Sequence, residues 1–242
     1  MRIISRLDIK NEFVIKGINL EGLRKVGNPI ELASKYYNEN IDEIIYVDAV
    51  ASLYRRNTLS NLIYETSKKI FVPLTVGGGI RSHHDIEKAL RLGADKVSLN
   101  SYATENPDFI AKSVKNFGSS TIVIYIETKY NPETMAWEVY KYSGRERSGI
   151  KLFDWIDQIQ NMECGEIMLT SIDYEGTQQG FDMELIKKVI KKIKVPLIIS
   201  GGCGEYDHVL NLKKEFKNVS VALASALHYN NINIKKLKEK IE

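Results

Sequence analysis

The 242 residues predict a single (β/α)8 TIM barrel built from two duplicated half-barrels. Three observations carry the prediction. One phrase occurs twice: FVPLTVGGGIRS at 71–82 and KVPLIISGGCGE at 194–205 each set a buried strand before a glycine cluster. Val72 and Val195, Pro73 and Pro196, Gly78 and Gly201, and Gly79 and Gly202 all stand 123 residues apart, about half the chain. Short apolar runs also alternate with helical patterns throughout, as parallel strands covered by helices require. Further echoes extend the duplication. Glu43 is answered by Glu166, again at 123, Asp8 by Glu127 at 119, and Asn100-Ser101 by Ala224-Ser225. An open doubly wound sheet is the alternative, and it explains a half-chain duplication less well. Residues 1–242 are expected to form one domain, a common size for such barrels.

The predicted strands span 3–8, 44–48, 73–76, 96–99, 121–127, 166–170, 196–200 and 219–223. Helix starts are marked between them. Asn28-Pro29-Ile30-Glu31 supplies an N-cap, a proline at the first helical position and a glutamate at the third, and Asn106-Pro107 is read as repeating the device. Gly118 closes the helix that follows. Leu185, Ile186, Val189, Ile190 and Ile193 form one apolar face, and Leu59, Leu62, Ile63, Thr66 and Ile70 another. Two longer stretches interrupt the alternation, 10–28 after the first strand and 130–149 after the fifth, the latter with a hairpin-like WEVYKYSG. Both leave C-terminal strand ends, where barrels of this kind build their sites, and long loops there are usually functional.

Composition narrows the function classes. Hydrophobic residues make up 43%, enough for a large core, and no apolar run approaches a membrane span. A strand that begins almost at Met1 leaves no room for a signal peptide, so a cytoplasmic protein is expected. Two cysteines, Cys164 and Cys203, are too few to frame a fold. A net charge of +3 suits an anionic substrate and does not argue for nucleic acid.

Asp8 and Glu127 end strands that stand opposite each other in an eight-stranded barrel. Two facing carboxylates make a general acid and base if their environments split their pKa values; the plainer reading pairs each with a loop lysine such as Lys16. The glycine clusters suggest two anion sites, because glycine lets backbone N–H groups approach a ligand closely. One combines Gly78, Gly79, Asn100 and Ser101; the other Gly176, Gly201, Gly202, Ala224 and Ser225, with a short helix begun by LASALHY. Backbone groups rather than arginines are the expected donors. Thr170, Ser200, Ser143 and Glu175 add hydroxyls and a carboxylate near the mouth. His83-His84-Asp85 is read as helix capping rather than metal binding, and no metal or cofactor is expected. At the opposite end, Arg2, Glu43, Lys96 and Glu166 fall at strand starts. On the residues alone they read as a structural salt-bridge plug.

These motifs together resemble the cyclase subunit of imidazole glycerol phosphate synthase, the HisF family. The likeness runs over essentially the whole chain through LDIK with Lys16-Gly17, DEIIYVD, TVGGGI, GADKVSLN, FGS, YSG, GEIMLTSIDYEGT, SGGCG and ALASALHY. It implies that ammonia from a glutaminase partner crosses the barrel to a bisphosphorylated ribulosyl imidazolecarboxamide. The implied products are imidazole glycerol phosphate and an aminoimidazole carboxamide ribotide. The resemblance further implies that Asp8 is a catalytic acid/base, that Lys16 belongs to a loop closing on substrate, and that Arg2, Glu43, Lys96 and Glu166 form an ammonia gate. That last implication displaces the plug reading. Two positions depart from the family pattern: Glu127 stands where the family has aspartate, and DYEGT replaces DRDGT, with Glu175 for an aspartate. Restoring aspartate at 127 is therefore expected to raise turnover. The departures also fit a paralogous group, similar to HisF, that passes ammonia to a sugar amidotransferase in surface-polysaccharide synthesis. A sister isomerase of histidine synthesis shares the barrel but needs no ammonia gate.

Overall fold

The computed structural model describes residues 1–51 and 59–241. Residues 52–58, which follow the second barrel strand in sequence, thus lie outside the described residues. In chain order the strands are β1 (Ile3–Lys10), β2 (Phe13–Ile18), β3 (Glu21–Gly27), β4 (Glu43–Asp48), β5 (Leu74–Gly77) and β6 (Lys96–Leu99). They continue as β7 (Ile122–Asn131), β8 (Ala136–Lys141), β9 (Glu146–Lys151), β10 (Glu166–Ser171), β11 (Leu197–Ser200) and β12 (Val219–Leu223). Eight of them, β1, β4, β5, β6, β7, β10, β11 and β12, pair in parallel in that order, and β12 returns to β1. The sheet is a closed eight-stranded barrel with helices between its strands.

Alternation along each strand decides what faces the axis. On β1, Ile3, Leu7 and Ile9 join the large apolar core under the helices, while Ile4 joins a separate small cluster with Ile45, Val47, Val123, Tyr125, Met168, Ile198 and Ala222. That cluster fills the barrel interior. Arg2, Arg6 and Asp8 share the inward phase of Ile4.

The helix signals mostly hold. Asn28 Oδ1 accepts from the backbone N–H groups of Ile30 and Glu31, with Pro29 opening the helix Pro29–Asn38. Asn106 is different: it ends the short helix Ser101–Glu105, its N–H donating to Tyr102 O, and the next helix, Asp108–Phe117, has no side-chain cap. Gly118 closes that helix at φ 84°. Ser82 and Asp85 form a capping box at the helix His83–Arg91. His83 receives a hydrogen bond from Asn116 at 3.0 Å and stacks on Phe109. Among the described residues no group of three or more His, Cys, Asp or Glu is arranged to hold a metal ion, and no helix is long and apolar enough to cross a membrane.

The two long stretches are β insertions. The first is the antiparallel hairpin β2–β3, paired to the end of β1 with Asp8 opposite Ile15. In the second, β7 runs on to pair with β8, and β8 turns through Tyr142-Ser143-Gly144 into β9. The expected hairpin WEVYKYSG is thus one strand and its turn, with its partners on either side.

Candidate active site

The barrel axis is layered. At the floor, Arg2 Nη1 lies 3.0 Å from Glu43 and Lys96 Nζ lies 2.8 Å from Glu43 and 3.0 Å from Glu166. Arg2 Nη2 pairs with Glu166 and closes the ring. Thr75 Oγ1 donates to Glu43 at 2.7 Å, and Arg2 Nε donates to Ser220 at 3.1 Å. Above the ring sits the apolar interior cluster, and above that the charged groups of the mouth. From Arg2 to Asp8 the strand climbs about 20 Å.

Arg6 dominates the layer beneath the mouth. Its guanidinium grips both oxygens of Asp8, Nε to Oδ1 at 2.8 Å and Nη2 to Oδ2 at 3.1 Å. Its Nη1 reaches Thr170 Oγ1 at 3.2 Å, Ser200 Oγ at 3.1 Å and Glu175 Oε2 at 3.4 Å. The side chain is only 1% exposed and also lies over the Tyr125 ring. Lys16, brought in by β2, sits 3.2 Å from Asp8 and pairs with Glu175. Asn19 fastens the same hairpin to the loop after β10, its N–H donating to Glu175 O at 2.7 Å.

The two facing carboxylates differ in environment. Burial opposes the charge on Asp8, but the adjacent Arg6 and Lys16 cations outweigh it and hold the carboxyl below its ordinary value. Desolvation raises the carboxyl of Glu127 above its ordinary value, although Arg6 and three hydrogen bonds oppose the rise. Those donors are Asn100 Nδ2 at 3.0 Å, the Gly144 N–H at 3.1 Å and Tyr125 Oη at 3.1 Å. Between Asp8 and Glu127 lies a cavity of only ≈ 20 Å³, shared with Ser143 and Arg145. Ser143 Oγ itself donates to Ala49 O at 2.9 Å. Nearby His228 is driven down to about 3 by burial, so it stays neutral at ordinary pH. Cys203 and Cys164 are buried thiols pushed up to about 12, which removes them as nucleophiles.

Two larger cavities flank this centre. The first, ≈ 300 Å³, is lined by Gly78, Gly79, Arg81, Ser98, Asn100, Ser101 and Tyr142, among others. Gly78 is required there: its φ is +98°, and a Cβ would collide with Asp48 O. The second, ≈ 320 Å³, is lined by Lys16, Gly17, Arg24, Gly176, Gln178 and Ser225. Each cavity has a buried hydroxyl with no hydrogen-bond partner among the described residues, Ser98 Oγ in the first and Ser225 Oγ in the second. Arginines border both cavities, Arg81 the first and Arg24 the second. Gly201, Gly202 and Ala224 do not line the second cavity, and Gly202 O instead accepts from the Gly180 N–H at 2.8 Å. Thr170 and Ser200 point their hydroxyls at Arg6 rather than into either cavity.

The sequence reading missed Arg6. One signal was available: in a strand, Arg6 shares the inward phase of Asp8, and an arginine there must be buried and paired.

Comparison with known proteins now places the chain. The family model described as "Histidine biosynthesis protein" matches residues 2–233. A protein of Legionella pneumophila named "Imidazole glycerol phosphate synthase subunit HisF" is 50% identical over 207 residues, 86% of this chain and 97% of its own length. Proteins of the same name from Lactococcus lactis subsp. cremoris (strain MG1363) and Thermococcus onnurineus (strain NA1) are 40% and 42% identical, covering 99% and 98% of this chain and 93% of each relative. At such identity over nearly the full length of both partners, the chain belongs to the HisF family of histidine biosynthesis proteins.

Proposed function

We propose that this chain is the ammonia-dependent cyclase, a lyase, of imidazole glycerol phosphate synthase, working as a single barrel domain. A bisphosphorylated ribulosyl imidazolecarboxamide would lie across the mouth, one phosphate in each flanking cavity, with its reacting atoms between Asp8 and Glu127. The observation that carries this reading is the arrangement itself: two separate cavities with glycine-built walls and cationic rims, on either side of two carboxylates with oppositely shifted affinities for protons. That is the division of labour acid/base chemistry needs. Asn100, Gly144 and Tyr125 orient Glu127, and Arg6 orients Asp8. Lys16 would lie between the reacting centre and the second phosphate.

A glutaminase subunit is the partner this role requires. The floor ring of Arg2, Glu43, Lys96 and Glu166 supports docking at the N-terminal face of the barrel, with ammonia entering through the ring. The alternative role, conducting ammonia to a sugar amidotransferase, matches none of the names of the relatives given above, and the cyclase reading stands ahead of it. The test is Asp8→Asn. Ammonium-fed turnover should fall by about 100-fold or more while substrate affinity changes little, because the cavities and not Asp8 hold the phosphates. Turnover unchanged in Asp8→Asn would remove Asp8 from the chemistry and the reading with it.

A further inference from the structure

The buried arginine gives the proton chemistry a direction. We propose that Arg6 is a positioning residue that keeps Asp8 an ionised proton acceptor, leaving Glu127 as the group that delivers protons. The proposal rests on the cyclase reading and assigns the roles within it.

The geometry makes the pairing permanent. Arg6 and Asp8 lie two residues apart on one strand, so both face the barrel axis and no loop motion separates them. The contact is a two-pronged fork on the two carboxylate oxygens, at 2.8 and 3.1 Å. The far end of the guanidinium is anchored to Thr170, Ser200 and Glu175, from three different segments, so the fork cannot turn away. Lys16 also contacts Asp8, but from the hairpin β2–β3, and a substrate that displaced the hairpin would take Lys16 with it. Arg6 would stay. An arginine never loses its proton in a protein, and both side chains are almost fully buried, so water does not dilute the interaction.

Among the described residues, the other charged or titratable groups facing Asp8 fit the same assignment. Glu175, from the loop after β10, is balanced by Arg6 and Lys16. His228, from the helix Ser225–His228, is neutral. Arg145 borders the small cavity that Asp8 and Glu127 share and is paired with neither. Tyr125 and Glu127 face it from β7; Tyr125 stays a neutral phenol, its Oη donating to Glu127. Among the described residues Glu127 has no cation in ion-pair contact, and burial favours its protonated form. When ammonia condenses with a carbonyl carbon, a C=N bond replaces the C=O bond. Nitrogen gives up two protons and the departing oxygen gains two to leave as water. Asp8 is fitted to take protons from nitrogen and Glu127 to supply them to oxygen, with exchange between the two carboxyls and solvent restoring both.

The experiment is the pH profile of ammonium-fed kcat/KM, held at constant free ammonia, for wild type, Arg6→Gln and Arg6→Lys. In wild type the acid limb belongs to Asp8 and the alkaline limb to Glu127. Arg6→Gln should move the acid limb up by about one pH unit or more, a tenfold change in the proton affinity of Asp8, and move the alkaline limb up by less, because Arg6 acts on Glu127 only at a distance. Arg6→Lys should restore most of the wild-type acid limb. If Arg6→Gln does not fold, Arg6→Lys alone decides: loss of the fork should still shift the acid limb upward by a smaller amount. An active wild type whose acid limb is the same in every folded variant, or whose alkaline limb moves further than the acid limb, overturns this inference and leaves the cyclase reading intact. A wild type that turns over no substrate overturns the cyclase reading instead.

Discussion

The floor and the mouth of this barrel carry the same four-charge device in opposite settings. At the floor, Arg2 and Lys96 each contact both Glu43 and Glu166; at the mouth, Arg6 and Lys16 each contact both Asp8 and Glu175. Each is an alternating ring of one arginine, one lysine and two carboxylates. The difference is solvent. Arg2 is 38% exposed, whereas Arg6 is 1% and Lys16 2% exposed. Glu43 and Glu166 are as buried as Asp8 and Glu175, so the floor ring differs in its arginine, which can swing toward solvent and open the ring for a small molecule. A dry ring holds its members fixed, which suits setting the charge of a reacting group. The apolar layer of Ile4, Ile45, Val123 and Met168 keeps the two rings apart.

The comparison can be broken or sharpened in four ways, from the largest expected effect to the smallest. Glu175→Ala leaves Arg6 and Lys16 short of one buried counter-ion and should cost about 3–5 kcal/mol in denaturant unfolding, whereas Arg2→Met should cost far less, because Arg2 reaches solvent and Lys96 still contacts both floor carboxylates. Equal losses would erase the distinction between the rings. Glu127→Asp should lower ammonium-fed turnover by about 100-fold, because a shorter side chain withdraws the carboxylate by about 1 Å. This reverses the expectation from sequence. Glu127 is not a strained stand-in for aspartate, since Asn100, Gly144 and Tyr125 are all placed for the longer side chain; a rise in turnover would show that they are not. Lys96→Met should impair glutamine-driven turnover of the glutaminase complex several times more than ammonium-driven turnover, and parallel losses would make the floor ring only a plug.

The smallest effect is in acid stability. The folded state holds Asp8 below its ordinary value of 3.8, so its stabilising contribution is present above that pH and is lost as the pH falls through the lowered value. Asp8→Asn should flatten that acid limb of the melting curve, and an unchanged slope would mean that the Arg6–Asp8 contact is weak.

Much of this was legible in the sequence because it is local or periodic. The duplicated VPL–GG phrase, the strand order and the floor quartet follow from spacing alone, since strand starts in a closed barrel come together whatever the details. The facing of Asp8 and Glu127 follows in the same way. What was hidden depends on side-chain reach. Thr170 and Ser200 were read as ligand groups from their place at strand ends, yet a long arginine from β1 captures both hydroxyls. Gly201 and Gly202 match Gly78 and Gly79 by spacing, but the hairpin β2–β3 lies along the second cavity, whereas the β8–β9 insertion brings Tyr142 to the first. The hairpin covers the mouth beside the second cavity and moves its wall to Gly17, Arg24 and Gly176. A repeat in sequence therefore gave two similar turns and two unlike pockets.

The most direct measurement is product formation by the isolated wild-type protein, given the bisphosphorylated ribulosyl imidazolecarboxamide and ammonium salts, with no glutaminase present. The account predicts imidazole glycerol phosphate and aminoimidazole carboxamide ribotide in equal amounts. No product, from a protein whose glutaminase complex still releases ammonia from glutamine, would contradict it and turn the barrel into a conduit for another acceptor.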